Sequence, residues 1–215
     1  MRYARTALGS AVLLGICAVV SDDAGAMRAH SAIVSARAAS DGIVDLSGRV
    51  LKPFAPTTAA TVVFFIATDC PISNSYAPEI QRICRDYRTH GIDCALMYED
   101  VDLSSSSSTL DDVARRHLRE YRYADVPAAV DRKRTIAKRA QATVTPQAVV
   151  IDRTGKIRYR GRIDNFYAAL GRTRRAVTEH DLRDALDAVL SGKPVPKAET
   201  EALGCYIVDP ALMRK

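Results

Sequence analysis

The order of elements in this 215-residue sequence predicts an α/β protein. Two landmarks carry that reading. The apolar run Thr61-Val62-Val63-Phe64-Phe65-Ile66-Ala67 stops abruptly at Thr68-Asp69-Cys70-Pro71, and the stretch from Val144 to Ile163 reads as a β-hairpin whose first strand opens with Thr145-Pro146. Strand and helix patterns alternate between them, and a further helix follows.

Taken in order, Ile43 to Leu51 holds two short apolar segments split by Ser47-Gly48, which predict an N-terminal hairpin. The run at 61–67 shows no alternation, the pattern of a strand buried on both faces. Pro71 is pre-set for a first helical turn, and Ile80, Ile83, Cys84 and Tyr87 recur at helical spacing, so a helix follows Cys70 directly. His90-Gly91 stops it, and Ile92 to Tyr98 reads as a second strand. Ser104 to Ser108 is a low-complexity loop, Leu110 to Tyr123 a helix, Val126 to Val130 a short edge strand, and Arg132 to Ala140 a further helix. In the hairpin, Pro146 cannot donate to a sheet ladder, so Thr145-Pro146 belongs at a strand end, where a cis bond fits. His180 to Leu190 is the last helix, ended by Ser191-Gly192-Lys193-Pro194, and an extended tail carries Gly204-Cys205-Tyr206-Ile207.

With 47% hydrophobic and 26% charged residues, the chain suits one globular domain with a tail at each end. The formal charge of +6 is spread over both halves, and no helix or loop gathers basic residues with interleaved aromatics, so nucleic acid is not an expected partner. Arg2 and Arg5 precede the apolar run Ala7 to Val20, and Ala24-Gly25-Ala26 supplies a small-residue cleavage pattern: residues 1–26 read as a signal peptide, and the protein as periplasmic or secreted. The run is short for a span and Ser21-Asp22-Asp23 follows it, so no membrane attachment is expected after signal removal. Residues 27–40 then form a flexible lead-in, 41–195 the domain, and 196–215 the tail that carries Cys205.

Removal of residues 1–26 leaves Cys70, Cys84, Cys94 and Cys205, in a compartment that favours disulfides. Cys70 lies between a strand and a helix, where unpaired backbone N–H groups and the helix dipole favour the thiolate; it is the candidate reactive thiol. Asp69, Ser73 and Asn74 around it predict a polar, accessible loop, with Asp69 tending to raise the thiol's pKa. Fourteen residues of unbroken helix would set Cys84 about 21 Å from Cys70, against the roughly 4.4–6.8 Å between Cα atoms that a disulfide needs. Cys84 and Cys94 read as buried apolar residues, the less favoured alternative being a bridge between them, which requires an unusually close approach of helix and strand. Cys205 is the candidate resolving thiol, on a tail long enough to fold back. His117 is expected to pack on its helix and His180 to open the last one; no close ligand spacing supports a metal. Asp164-Asn165 reads as a hydrogen-bonded turn and Arg172 to Arg175 as a solvated basic loop.

Strand, Cys-Pro at a helix start, strand, helix, then Val144-Thr145-Pro146 opening a hairpin before a closing helix: over roughly residues 41–195 this resembles the thioredoxin-like fold, in its redoxin (alkyl hydroperoxide reductase/thiol-specific antioxidant) branch. The resemblance implies a central mixed β-sheet flanked by helices, with the hairpin at 43–51 as an N-terminal extension. It also implies Cys70 as nucleophile and Pro71, Thr145 and Pro146 as substrate-binding residues, Pro146 being a cis-Pro against the nucleophile. The tail is similar to a subgroup of exported redoxin-like proteins ending in Gly-Cys-x-Ile after a Gly-Lys-Pro stop, matched by Gly204-Cys205-Tyr206-Ile207 and Gly192-Lys193-Pro194.

Three departures subtract chemistries. Ser73 replaces the second thioredoxin cysteine; Ala67 and Val63 replace the upstream Thr and Pro of typical peroxiredoxins; Asn74 replaces the second cysteine of copper-delivering relatives. The expected function is thiol–disulfide oxidoreduction on a protein or small-molecule disulfide or a peroxide, with Cys70 attacking, Cys205 resolving, an extracytoplasmic thiol reductant as partner and no bound cofactor. Two alternatives stay open: a thiol peroxidase using Cys70, and a copper-binding or assembly protein using Cys70, Cys205 and a His.

Overall fold

A computed structural model describes residues 42–100, 109–123 and 125–209. The signal-peptide and lead-in readings and the Ser104–Ser108 loop lie outside the described residues. No helix among the described residues is long and apolar enough to cross a membrane.

The hairpin β1 (Ile43–Val44) and β2 (Val50–Leu51) precedes β3 (Ala60–Ile66), which is buried at all seven positions. Its burial follows from its place at the centre of a five-stranded sheet. On one side it pairs in parallel with β4 (Ile92–Tyr98), and β4 with the edge strand β5 (Ala128–Val130). On the other it pairs antiparallel with β7 (Gln147–Asp152), and β7 with β8 (Ile157–Gly161). The sheet is therefore mixed.

Alternation along β3 feeds two cores, one on each face. Val62, Phe64 and Ile66 pack with Ile80 and Ile83 of α2 (Ala77–Arg88), Ala114 of α3 (Leu110–Glu120), and Leu182 and Leu186 of α5 (Asp181–Leu190). Val63 and Phe65 pack with Met97, Val149, Ile151 and Ile136 of α4 (Thr135–Ala140). Each such side chain contributes about 1.5–3 kcal/mol by leaving water.

The predicted long helix after Cys70 is interrupted. A five-residue α1 (Pro71–Ser75) ends at Tyr76, and α2 starts at Ala77. Pro78 explains the break, because it has no N–H to donate to the carbonyl four residues back. Tyr76 N–H instead bonds Ile72 and Ser73 carbonyls, and its own carbonyl restarts the ladder by accepting from Ile80 N–H at 2.9 Å.

Cys84 and Cys94, read in the sequence first as separate buried thiols, are joined as a disulfide with Cα atoms 5.7 Å apart. The short link Thr89 to Gly91, with Gly91 at φ 80°, folds α2 straight back over β4, which supplies the close approach. Two further strand pairs were not predicted. Tyr167–Ala169 (β9) and Arg172–Thr173 (β10) form a hairpin where the sequence reads as a turn and a solvated loop, although the arginines there are exposed as expected. The other pair is Val144–Thr145 (β6) with Cys205–Tyr206 (β11), antiparallel, Cys205 opposite Thr145 and Tyr206 opposite Val144.

Candidate active site

Cys70 is the N-cap residue of α1, at the end of the turn that leaves β3. Its N–H bonds the Ala67 carbonyl at 3.3 Å and its carbonyl accepts from Asn74 N–H at 3.0 Å. The accessible loop expected from Asp69, Ser73 and Asn74 is not what forms: Cys70 is 0% exposed. Ser73 is itself buried, and Asn74 turns inward, its amide donating to the Thr68 carbonyl at 3.0 Å.

Two other segments cover the sulfur. The Thr145–Pro146 peptide is cis, and the Thr145 carbonyl accepts from Cys70 Sγ at 3.1 Å. The tail lies beyond it, with Cys205 Sγ donating to Cys70 Sγ at 2.8 Å and Thr145 Oγ1 donating to the Cys205 carbonyl at 3.4 Å. So the structure brings Cys70, Thr145, Pro146 and Cys205 together, and Pro71 sits at the first position of α1 beside them.

The two thiols titrate apart. Burial pushes Cys70 up, but the hydrogen bond from Cys205, the Ser73 hydroxyl and N–H facing the sulfur, and Thr145 outweigh it and hold the thiol below its ordinary value. Cys205 is pushed up to about 12 by burial, by its bond to Cys70 and by the charges of Cys70 and Asp69. Of the two thiols Cys70 is therefore the one that ionises first, while Cys205 keeps its proton. The Asp69 charge, expected to raise the Cys70 thiol, is among the causes that raise Cys205.

A ring of polar residues holds this loop. Asn74 uses its amide N–H on Thr68, so its Oδ1 accepts from His117 Nε2 at 2.8 Å, which leaves His117 Nδ1 to accept from the Tyr98 hydroxyl at 3.0 Å. Burial keeps His117 low, hence neutral, in keeping with that assignment. As expected His117 packs on its helix, stacked on Tyr121, but it is also a positioning group for the α1 loop. His180 opens α5 without a side-chain cap. Thr68 donates N–H and hydroxyl to Asp100 Oδ1, at 2.8 and 2.5 Å. Among the described residues no group of three or more His, Cys, Asp or Glu is placed to hold a metal ion.

The sequence reading missed the residues of this ring. Asn74 stands four residues after Cys70, one turn on and on the same face of a helix, a spacing that could have flagged it. Thr68, Tyr98 and Asp100 carried no such signal.

A cysteine at a strand-to-helix turn, set against a cis-Pro at the end of a mixed sheet, defines a thioredoxin-like fold. Within that fold the chain belongs to the AhpC/TSA family, whose sequence profile matches residues 51–160. The matched span includes Cys70 and Thr145–Pro146 and stops short of Cys205. The chain is similar to an uncharacterized conserved protein of Geobacillus kaustophilus (27% identity, TM-score 0.66, covering 77% of this chain and 86% of that one). It is similar as well to a hypothetical protein of Sinorhizobium meliloti 1021 (27%, 0.64, 77% and 88%). A thioredoxin-like protein of Aeropyrum pernix shares the fold (16%, 0.50, 79% and 99%). No curated protein matches the sequence.

Proposed function

We propose that the protein is a thiol–disulfide oxidoreductase in which Cys70 is the nucleophile and Cys205 the resolving thiol. The observation that carries this reading is the 2.8 Å approach of the two sulfurs beside the cis-Pro. Cys70 thiolate attacks a substrate disulfide, a mixed disulfide forms and one substrate thiolate leaves with the electron pair. Cys205 then attacks Cys70 Sγ, its proton passing to the departing substrate sulfur, and the second substrate thiol is released as the Cys70–Cys205 disulfide forms. An external thiol reductant restores the pair, and no bound cofactor enters.

Export to an oxidising compartment fits the Cys84–Cys94 disulfide, which a reducing cytosol would disfavour. The substrates are protein or small-molecule disulfides, and Thr145, Pro146 and Pro71 are the groups that would line them up against the sulfur.

A second reading, thiol peroxidase, is favoured by one feature: Cys70 has no exposed surface with the tail docked, and a hydroperoxide needs a smaller opening of the tail than a protein disulfide does. Its thiolate would take the distal oxygen of a hydroperoxide, an alcohol or water would leave, and Cys205 would condense with the sulfenic acid to the same disulfide and water.

Peptide mass mapping of thiol-blocked protein, before and after mild oxidation, tests the pair. The expected result is a Cys70–Cys205 peptide that appears with a disulfide oxidant and vanishes on reduction; a Cys70 that stays free and unreactive would overturn both readings. Stopped-flow oxidation by hydrogen peroxide separates them.

A further inference from the structure

Arg134 is a buried arginine whose donors go almost entirely to backbone carbonyls. It is 1% exposed, lies between β5 and α4, and has the left-handed backbone φ of 54° that L-residues seldom adopt. Nη2 donates to the carbonyls of Glu99 and Asp100 at 2.9 and 3.0 Å, and Nη1 to that of Asp131 at 3.0 Å. Nη1 also lies 3.3 Å from Glu99 Oε2. The remaining donor, Nε, goes to the carbonyl of Val208 at 3.1 Å, three residues beyond Cys205.

That last bond joins two parts of the site. On the core side, Asp100 takes the N–H and hydroxyl of Thr68, two residues before Cys70. On the tail side, Val208 belongs to a segment also fastened by the two-residue pairing of β11 with β6, the Thr145 Oγ1 bond to the Cys205 carbonyl, Ile207 N–H to the Thr143 carbonyl at 2.9 Å, packing of Ile207 on the second core, and a Lys138–Asp209 ion pair of 2.7 Å with its lysine exposed. An exposed ion pair holds little, and two strand residues fray easily. The Arg134 bond differs from these in being charge-assisted and made by a buried, geometrically fixed guanidinium.

We infer that Arg134 is a positioning residue for the redox pair: by gripping the Val208 carbonyl it keeps the tail docked, with Cys205 over Cys70, and sets how often the tail lifts to admit a substrate. This rests on the reading of Cys70 and Cys205 as exchanging thiols. The two half-steps respond in opposite ways. Attack by Cys70 on an incoming disulfide requires the tail to be up, and attack by Cys205 on the mixed disulfide requires it to be down. Arg134 therefore slows the first and speeds the second.

The test compares wild type with R134M and R134K in the full chain. R134K keeps a buried positive charge beside Glu99 but has too few donors to bond the core carbonyls and Val208 together, so it reports even if R134M fails to fold. Two quantities are read: the alkylation rate of Cys70 by iodoacetamide in a Cys205→Ser background, and the equilibrium constant of the Cys70–Cys205 disulfide against glutathione. Loss of one charge-assisted bond should raise the first and lower the second by about tenfold, with R134K moving both in the same direction. The alkylation rate is measured again with G204A, whose added methyl has no room beside the Thr145 carbonyl, so that the tail is already undocked. There the Arg134 variants should add nothing.

Equal effects with and without G204A would overturn the inference, because Arg134 would then act on the core alone; so would folded variants in which neither quantity moves. If wild type forms no Cys70–Cys205 disulfide at any glutathione ratio, the redox reading fails, while the alkylation arm still decides whether Arg134 holds the tail.

Discussion

Gly204 lies against the carbonyl of Thr145 so closely that a Cβ would overlap it, which makes glycine the residue that lets the tail reach the cis-Pro. G204A is therefore expected to lift β11 from β6 and open Cys70 to solvent. The measurable outcome is a rise of about tenfold or more in Cys70 alkylation and loss of Cys70–Cys205 disulfide formation, since burying even one overlapped contact costs more than a two-residue pairing supplies. An alkylation rate equal to wild type would show that the backbone relaxes around the methyl.

The thiols give a pH signature. Cys70 lies below the ordinary thiol value and Cys205 is raised to about 12, so iodoacetamide labelling of reduced protein should rise with pH through a single step below 9.0, at Cys70. Cys205 should label only in strong alkali. In Cys205→Ala the Cys70 step should move upward, since the Cys205 hydrogen bond does the most to lower it. Peptide-resolved labelling checks each; equal titration of the two would contradict the division of charge and proton.

Glu99 offers a stability test. Burial and the Asp131 charge push its carboxyl from 4.5 up to about 9, with Arg134 pulling the other way. A group raised on folding stabilises fully below its unfolded value, and the contribution is lost as pH rises through the folded one. The wild-type protein should thus lose stability progressively between about pH 4.5 and 9 on this account, and E99Q should not. Urea denaturation at pH 5, 7 and 9 is expected to show E99Q gaining on wild type as pH rises. Parallel profiles would mean that Glu99 is ionised in the fold and paired with Arg134.

Removing the second disulfide separates structure from chemistry. The Cys84→Ala, Cys94→Ala double variant should lose about 3 kcal/mol of stability, the loop-closure value for a short ring, while oxidation of Cys70 by disulfides proceeds at the wild-type rate. Urea midpoints and disulfide-exchange rates measured on the same preparation decide it. A slower exchange rate would mean that the bridge reaches the site through α2.

Much of the fold was legible because its signals are local. The unbroken apolar run of β3 announced a central strand, and Pro146 announced a strand end. Cys205 could be named as a partner for Cys70 because helix rise excluded Cys84, yet its register opposite Thr145 is a pairing across sixty residues that no local pattern encodes. The burial of Cys70 was misjudged for the same reason. Asp69 is exposed as its polarity suggests, but the tail closes over the Cys70 sulfur, Ser73 is buried, and Asn74 spends its polarity inward on Thr68 and His117. Arg134 was invisible: its neighbours Asp131, Glu99, Asp100 and Val208 are assembled only by the sheet and the returning tail.

The bridge between Cys84 and Cys94 also bears on how the chain acquires its bonds. Among Cys70, Cys84, Cys94 and Cys205 there are three pairings, and only one leaves Cys70 with Cys205. A separation of 10 residues makes 84 with 94 the shortest loop available, against 135 for 70 with 205, and short loops close fastest and at least entropic cost. The local bond is thus the natural first product of oxidation. Once it is made, Cys70 and Cys205 are left as each other's partner among these four, and mispairing within the set is excluded by arithmetic.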